Sequence, residues 1–130
     1  KEIKLGNLSP KRDYISINDV AWVVENLIDS NYVKNGQVEN FNVGTGYEPI
    51  SVSDVFNMIN KFYNGKLSII EDHKRKRPPE KERELLAINV SKLNKVLKNY
   101  NPMKLKDWIE DLVMNPGLRI DKNKFSDLYN

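Results

Sequence analysis

The sequence predicts a small α/β or mixed α+β domain, and three observations lead to this fold class. Short runs rich in Val, Ile and Tyr alternate with longer segments whose apolar residues recur at helical spacing. Residues that cap helices precede the helical segments. The predicted order is strand, strand, helix, strand, helix, strand, loop and two helices. With 130 residues, 39% of them hydrophobic, the chain can form one domain with a modest core.

The first half of the chain predicts three strands around one amphipathic helix. Ile3 and Leu5 alternate with charged residues in a short strand, and the sequence RDYISI predicts a second strand. Asn18 is the predicted N-cap of the helix that follows. The apolar residues that repeat at helical spacing after this cap are Val20, Val23, Val24, Leu27 and Ile28. The sequence NFNVG then predicts the third strand, which ends at Gly44.

A capping pattern predicts the second helix. Ser51 or Ser53 caps it, and the stretch from Ser51 to Asp54 has the form of a capping box, with Asp in place of the usual Glu or Gln. The residues predicted to line its buried face are Val55, Ile59 and Phe62. Asn64 and Gly65 are predicted to stop this helix, because both residues tolerate the turn that ends a helix.

The remaining elements are a strand, a charged loop and two helices. The sequence KLSII predicts the strand, and residues 71–84 predict the loop because they are charged and contain Pro-Pro. Ser91 is the predicted cap of a helix over about 91–98. The last helix is predicted over 105–114, where apolar residues again recur at helical spacing.

Composition limits the possible classes of protein. The chain has no cysteine, which excludes a disulfide framework and a thiolate metal site and fits the reducing cytoplasm. Its apolar runs are only a few residues long, so we predict neither a membrane span nor a secretory signal peptide. Residues 1–115 are predicted to form the domain, and residues 116–130 a tail of uncertain order.

The stretch from Gly44 to Gly46 has the layout of a dinucleotide-binding turn, with a predicted strand before it and a helix after it. The fingerprint of such a site is G-x-G-x-x-G followed by an acidic residue about 20 positions on. Pro49 stands at the third glycine position and has no N–H to offer a phosphate, and Gly65-Lys66 lies where the acid belongs. The pattern therefore favours a plain strand-to-helix turn over a cofactor loop.

No convincing set of catalytic or metal-binding residues is predicted. Tyr100 and Lys104 form the one Tyr-x-x-x-Lys pattern, but Pro102 prevents the regular helix that would place both side chains on one face. His73 is the only histidine, which excludes a histidine-based metal cluster and a Ser-His-Asp triad.

Two arginines are candidates for phosphate binding. Arg12 precedes a predicted strand, and Arg77 comes directly before Pro-Pro, which fixes the backbone there. The planar guanidinium suits phosphate oxygens, and Glu80 could accept hydrogen bonds from a ribose diol. Two alternatives stay open, because residues 74–77 also fit a solvated charge run or a nucleic-acid-binding patch. Against nucleic acid, acidic residues interleave with this run and no stacking aromatic lies nearby.

Four segments together resemble the C-terminal part of the NAD(P)-dependent nucleotide-sugar epimerases and dehydratases, the extended short-chain dehydrogenases. They are LGNLSPKRDYISINDVAWVVENLI, NFNVGTGYEPISVSDVF, RPPEKERELLAINVSKLNKVL and MKLKDWIEDLV. The resemblance runs from about Ile3 to Val113, with the motifs in the family's order. The patterns GNL-x-x-x-RD and RPxE are most similar to the GDP-mannose 4,6-dehydratase branch and its CDP- and dTDP-sugar relatives.

The resemblance implies a role for each candidate residue. It implies that Arg12 contacts the substrate pyrophosphate, that Arg77 reaches a phosphate or the ribose, and that Glu80 binds the ribose. Asn7 is expected to line the same pocket. The implied substrate is a nucleotide-diphosphate sugar linked to GDP, CDP, dTDP or UDP.

The resemblance also implies that this chain is a fragment. In the family, an N-terminal Rossmann part holds NAD or NADP and the catalytic Tyr-x-x-x-Lys, so the chain is expected to bind no cofactor and to be inactive alone. Its expected partners are the substrate and the Rossmann part, and the parent enzyme is expected to be a homo-oligomer.

The sequence departs from the family pattern at two places. Ser16 stands where many relatives have His, and Pro79 or Glu80 stands where many have Gly. Two rival functions stay open: a non-enzymatic interaction module on the same scaffold, and a small basic nucleic-acid-binding domain.

Overall fold

The computed structural model describes residues 1–115 and has a mixed α/β fold, which confirms the predicted class. The predicted tail, 116–130, lies outside the described residues. The strands are β1 (Glu2–Leu5), β2 (Lys11–Arg12), β3 (Ile50–Ser51), β4 (Ser68–Glu71) and β5 (Leu85–Leu86). The α-helices are α1 (Ile17–Asp29), α2 (Val52–Phe62), α3 (Ser91–Val96) and α4 (Leu105–Met114), and two 3₁₀ turns cover His73–Arg75 and Pro79–Lys81.

Two small sheets connect distant parts of the chain. β1 and β4 pair in parallel, with Glu2 opposite Ser68. The second sheet has the order β3-β2-β5, in which β2 is antiparallel to β3 and parallel to β5. β2 is therefore the central strand of this sheet. The predicted strand RDYISI is confirmed only at its first residue, because the ladder covers Lys11 and Arg12 and stops before Asp13.

The hydrophobic core lies between α1 and α3. Its buried residues are Val23, Val90, Leu93 and Leu97. Trp22 stacks on Tyr100 at the side of this cluster, with ring centroids 5.9 Å apart. Since Tyr100 also borders the glycine turn, the core fixes one side of that turn.

Helix α1 begins earlier than predicted. Ser16, not Asn18, is its N-cap, because Ser16 has an extended backbone and its Oγ accepts a hydrogen bond from the Asp19 N–H at 3.1 Å. The Asp19 carboxylate in turn accepts the Ser16 hydroxyl proton at 2.6 Å. The Asp19 carboxylate thus contacts the Ser16 hydroxyl, whereas in a capping box the carboxylate at this position accepts the backbone N–H of the cap residue.

The apolar face of α1 is only partly covered. Val23 is fully buried, whereas Ile17, Val24 and Ile28 are 78%, 52% and 73% exposed. These three residues, spaced seven and four positions apart, lie on one side of the helix and are called the α1 stripe below. The helical periodicity is confirmed, and the structure adds that part of this apolar face is exposed to solvent.

Helix α2 confirms the predicted capping box. The Ser51 Oγ accepts the Asp54 N–H at 3.0 Å, and the Asp54 carboxylate accepts the Ser51 N–H at 3.3 Å. These bonds satisfy backbone donors that the first turn of a helix leaves without a partner. The helix ends at Phe62, and Asn64 and Gly65 adopt left-handed conformations directly after it.

Helix α3 is shorter than predicted and has a different cap. Val90 occupies the N-cap position without a side-chain hydrogen bond, and Ser91 is the first helical residue. The Ser91 N–H is instead bound by the Asn89 Oδ1 at 2.9 Å. The side-chain hydrogen bond at the start of α3 therefore comes from Asn89, where the sequence predicted Ser91 as the cap.

The predicted strand NFNVG is absent from the described structure. Within residues 1–115, no backbone-to-backbone hydrogen bond involves the stretch 38–44, called the 38–44 segment below. Side chains reach it instead: Lys92 Nζ binds the Asn40 carbonyl at 2.8 Å, and the Tyr100 hydroxyl binds the Gly44 carbonyl at 2.8 Å. The prediction is wrong here because a strand needs a neighbouring strand, and no described strand pairs with this one.

Candidate functional site

Arg12 lies at the end of the central strand β2, with its guanidinium held from two sides. Its Nη2 donates to the Glu82 Oε1 at 2.9 Å, and its Nη1 donates to the Lys11 carbonyl at 2.9 Å. The side chain is 24% exposed, so this ion pair is partly screened from water. A guanidinium in such a place can still offer its remaining N–H groups to an anion.

A cavity of about 270 Å³ opens beside Arg12. Its walls are mainly apolar and aromatic, and its charged residues carry both signs. The apolar and aromatic residues are Tyr14, Tyr47, Ile50, Met58 and Leu105. The charged ones are Arg12, Asp13, Glu48, Lys104 and Lys106. Apolar walls with a few convergent polar groups are typical of small-molecule sites.

Tyr14 contributes an aromatic wall with a neutral hydroxyl. Burial raises the pKa of Tyr14 above its ordinary value, and the positive charge of Arg12 opposes that shift without cancelling it. The phenol therefore stays protonated at neutral pH and can donate a hydrogen bond into the cavity.

Asn7, Arg77 and Glu80 do not line this cavity. Arg77 and Glu80 are exposed, and neither side chain makes an ion pair or hydrogen bond with any residue of 1–115. The Asn7 Oδ1 accepts two hydrogen bonds from Ser9, from its N–H at 3.2 Å and its hydroxyl at 3.0 Å. Of the four predicted substrate-binding residues, the structure thus places only Arg12 at the cavity.

The glycine turn is occupied by a carboxylate of the chain itself. Asp13 accepts the Thr45 N–H at 2.9 Å and the Gly46 N–H at 3.4 Å, and it also binds the Thr45 hydroxyl. These are the N–H groups that would have to face the phosphate of a dinucleotide. A Cβ at Gly44 would lie 2.5 Å from the Asp13 Oδ2, so the carboxylate needs a glycine there. The turn therefore does not fit a dinucleotide phosphate.

Asp13 is the cavity residue beside Arg12 that sequence reasoning missed. It directly follows Arg12 and binds the turn that leads into Tyr47, which also lines the cavity. The one signal in the sequence was its place beside Arg12 in the RD pair. That pair does not reveal which backbone amides the carboxylate binds.

Two tyrosine hydroxyls bind backbone carbonyls, one within the glycine turn and one at Pro102. The Tyr100 hydroxyl donates to the Gly44 carbonyl at 2.8 Å, and the Tyr47 hydroxyl donates to the Pro102 carbonyl at 2.9 Å. Burial, together with the negative charges of Asp19 and Asp13, raises the pKa of Tyr100 to about 12. The stretch 101–104 is not helical, so Tyr100 and Lys104 do not share a helical face.

The basic run is partly neutralised by its own neighbours. Arg75 pairs with Asp72 at 3.3 Å, and Lys76 pairs with Glu71 at 3.0 Å. The hydrogen bond from Lys76 holds the pKa of Glu71 below its ordinary value. Two of the four cations thus face carboxylates, which disfavours a nucleic-acid-binding patch.

Two further features are absent from the part of the chain that the structure describes, a side-chain cluster for a metal ion and a membrane-spanning helix. Residues 1–115 contain no group of three or more His, Asp or Glu side chains that could hold a metal ion. No helix within the same residues combines the length and the apolar character that crossing a bilayer requires.

Several solved structures share this fold, and two of them follow with their similarity to this chain. One is a putative epimerase from Burkholderia cenocepacia J2315, with a TM-score of 0.74 and 23% identity over 87% of this chain. The other is RMD from Pseudomonas aeruginosa in complex with NADPH, with a TM-score of 0.71 and 17% identity over 92% of this chain. The chain spans only 35% and 36% of these two proteins. No protein-family model matches the sequence, and no curated protein is significantly similar to it.

Proposed function

We propose that this chain is the nucleotide-sugar-binding segment of a cytoplasmic, NAD(P)-dependent dehydratase or epimerase, and that it is inactive by itself. The observation that carries the proposal is the position of Arg12, on the central strand of a sheet and beside an apolar cavity. The shared fold of a putative epimerase and of an RMD solved with NADPH supports the enzyme class.

In this proposal Arg12 binds the pyrophosphate of the substrate. Its planar fork matches phosphate oxygens, and a charge-assisted bond is stronger where water is partly excluded. Arg77 binds a phosphate or the ribose, and Glu80 binds the ribose. Both side chains are available for this role, because they are exposed and make no hydrogen bond or ion pair within residues 1–115. Asn7 contributes its amide NH₂ group, which has no hydrogen-bond partner among those residues.

The cavity beside Arg12 is too small for a whole nucleotide sugar. Its volume of about 270 Å³ lies below the range of about 300–1,000 Å³ that is typical of complete ligand sites. The rest of the ligand must therefore be covered by another part of the protein. We assign this role to an N-terminal Rossmann part, which would also hold NAD or NADP.

Two surfaces of the chain fit such a Rossmann part. The α1 stripe exposes three large apolar residues, and the 38–44 segment leaves its backbone N–H groups without partners in the described structure. An apolar helix face and an open backbone edge are both satisfied when the chain packs beside a sheet. The two similar structures are almost three times as long as the part they share with this chain, which leaves room for that sheet.

The chain contributes binding and positioning to the reaction. In the resembling enzymes the nicotinamide cofactor takes a hydride from the sugar C4 and gives a 4-keto sugar. Contacts to the remote nucleotide supply the binding energy that holds C4 in place for this step. Within the family we favour the GDP-mannose 4,6-dehydratase branch, because the RPxE pattern includes Arg77 and Glu80. We further propose that the parent enzyme is a homo-oligomer.

The test is substitution of the phosphate-binding arginines in the full-length protein. We expect Arg12→Gln to weaken nucleoside-diphosphate binding about 10-fold or more, because a charge-assisted hydrogen bond contributes about 1.5–3 kcal/mol. Isothermal titration with GDP, CDP, dTDP and UDP measures the loss and identifies the preferred base. Arg77→Gln should show a loss in the same direction.

Arg83→Gln is the matched control, because Arg83 is exposed and makes no ion pair within residues 1–115. The nucleotide affinity of Arg83→Gln should equal that of the unmodified protein. If Arg12→Gln and Arg77→Gln both leave the affinity unchanged, the proposed site is wrong.

The exposed α1 stripe also favours a second candidate, an interaction module without enzymatic function. That candidate predicts that none of the four nucleotides binds the full-length protein, and that substitutions in the stripe abolish partner binding. The titration above therefore separates the two functions.

A further inference from the structure

The binding function proposed above does not account for the ion pair between Arg12 and Glu82. Arg12 Nη2 and Glu82 Oε1 are 2.9 Å apart, and the two side chains are 24% and 14% exposed. Glu82 is thus better shielded from water than its partner. The two residues are 70 positions apart in the sequence, so the fold, not local geometry, brings them together.

The backbone delivers Glu82 to this place. Pro78-Pro79 leads into the second 3₁₀ turn, and the Glu82 N–H closes that turn on the Pro79 carbonyl at 3.2 Å. Directly afterwards the Lys11 N–H binds the Glu84 carbonyl at 2.8 Å, and β5 pairs with β2. Glu82 is therefore fixed on both sides and holds its carboxylate against the guanidinium.

The neighbouring carboxylates make no such contact. Glu80 and Glu84 are exposed, and neither forms an ion pair with any residue of 1–115. The pairing is thus specific to Glu82 within this acidic segment. It also gives Arg12 a carboxylate in the position where an anionic ligand would bind the same N–H group.

We propose that Glu82 is an internal competitor for the anion site at Arg12. A carboxylate and a phosphate oxygen use the same guanidinium donors, and a paired Arg12 offers an incoming anion little net charge. A pyrophosphate carries enough negative charge to displace the Glu82 carboxylate from Arg12, whereas a ligand with a single weak negative charge does not displace it. Glu82 thereby makes the site selective for a strongly charged ligand, through a contact that works against weaker ones.

This inference rests on the proposed phosphate-binding role of Arg12. The test uses inorganic pyrophosphate as the probe, titrated into the full-length protein at constant ionic strength. Glu82→Gln keeps the size and the hydrogen-bonding oxygen of the side chain but removes its charge. We expect pyrophosphate to bind Glu82→Gln about 3- to 10-fold more tightly than the unmodified protein, since an exposed to partly buried ion pair is worth about 1 kcal/mol.

Glu84→Gln is the matched control, because it makes the same change in net charge without touching Arg12. A gain in Glu82→Gln no larger than that in Glu84→Gln would overturn the proposal. A weaker affinity in Glu82→Gln would overturn it as well, since Glu82 would then orient Arg12 for the ligand.

Arg12→Gln separates this inference from the function on which it rests. If Arg12→Gln binds pyrophosphate normally, the phosphate site at Arg12 is wrong. If Arg12→Gln loses affinity while Glu82→Gln matches its control, only the competition is wrong. The double variant Arg12→Gln/Glu82→Gln should bind pyrophosphate with the same affinity as Arg12→Gln alone.

A measurement on the unmodified protein covers the case in which Glu82→Gln fails to fold. Pyrophosphate should shift the Glu82 carboxyl carbon resonance towards the value of a solvated carboxylate, because the side chain leaves Arg12. An unchanged resonance at saturating pyrophosphate would overturn the proposal.

Discussion

At the scale of single residues, Asp13 occupies the backbone N–H groups of the glycine turn. The sequence alone argued against a cofactor loop, because Pro49 lacks an N–H and an acidic residue is absent downstream. The structure adds the physical reason, since the Asp13 carboxylate already binds the amides of Thr45 and Gly46. Asp13 and Thr45 are 32 positions apart, so no local pattern could have predicted that contact.

Tyr100→Phe tests the closure of the turn. The variant loses the hydrogen bond to the Gly44 carbonyl, and we expect the free energy of unfolding to fall by about 1–2 kcal/mol because a buried carbonyl loses its donor. The raised pKa of Tyr100, about 12, gives a second signature. A raised folded pKa stabilises the protein fully below the ordinary value of 10.0, and this contribution disappears as the pH rises towards 12.

Chemical denaturation at pH 8 and pH 11.5 measures both effects. The stability gap between the unmodified protein and Tyr100→Phe should narrow at the higher pH. A gap that widens with pH would contradict the assigned hydrogen bond.

Gly46→Ala tests the close packing of the turn against the core. Gly46 has φ +70, and a Cβ there would lie 2.7 Å from a methyl group of Val90. Gly65 has nearly the same φ, +71, but nothing within 4 Å of its Cβ position. We expect Gly65→Ala to lose about 1–2 kcal/mol from backbone strain alone and Gly46→Ala to lose about 1–3 kcal/mol more from overpacking. Equal losses of unfolding free energy in the two variants would show that the turn is not closely packed against Val90.

At the scale of secondary-structure elements, local signals were predictable and pairing was not. The capping box at Ser51 depends on residues three positions apart, and the structure confirms it. The sequence NFNVG, at 40–44, predicts a strand because of its composition, yet pairing depends on a neighbouring strand that the described chain does not provide. The cap of α1 was wrong by two residues because Ser16 and Asn18 are both good N-caps.

The pH dependence of stability tests the capping box of α2. Hydrogen bonds from the Ser51 side chain and backbone hold the pKa of Asp54 below its ordinary value of 3.8. A lowered folded pKa stabilises the protein above pH 3.8 and loses this contribution as the pH falls through the folded value. Asp54→Asn should therefore be less stable than the unmodified protein at pH 7, and this gap should shrink on acidification below pH 3.8.

Two further variants complete that experiment. Ser51→Ala removes the other half of the box and should cost about 0.5–2 kcal/mol at pH 7. Glu25→Gln is the control, because Glu25 is exposed on α1 and makes no hydrogen bond within residues 1–115. A gap for Asp54→Asn that is the same at pH 7 and pH 3 would contradict the assigned bonds.

At the scale of the whole molecule, the exposed apolar surface of α1 determines whether the chain associates with itself. The α1 stripe should make the 130-residue chain associate with itself when no larger partner covers it. Ile28→Glu places a charge in the stripe, and we expect it to shift the chain towards monomer in sedimentation velocity at micromolar concentration. Leu112→Glu, at a residue of α4 that is 58% exposed, is the control and should leave the association unchanged. Equal effects of both variants would show that the stripe has no special role.

The candidate site was predictable in part for the same physical reason. Arg12 could be found from its residue type and its motif, since a guanidinium before a strand is a local feature. Its partner Glu82 and the cavity beside it depend on the pairing of β2 with β5, which no local pattern encodes. Arg77 and Glu80 stay predictions, because their side chains lie on the surface of the described structure without a contact that assigns them.

The central position of β2 has a consequence for how fast the protein folds. β2 gains its parallel neighbour only when the chain closes a loop of roughly the 70 positions that separate Arg12 from Glu82. Closing such a loop costs conformational entropy before any contact repays it, and proteins rich in distant contacts fold in milliseconds to seconds. The helices can therefore form early, while the strand that carries Arg12 is completed late and exposes its edges in the meantime. A growing polypeptide would complete the sheet that carries Arg12 only after β5 has left the ribosome.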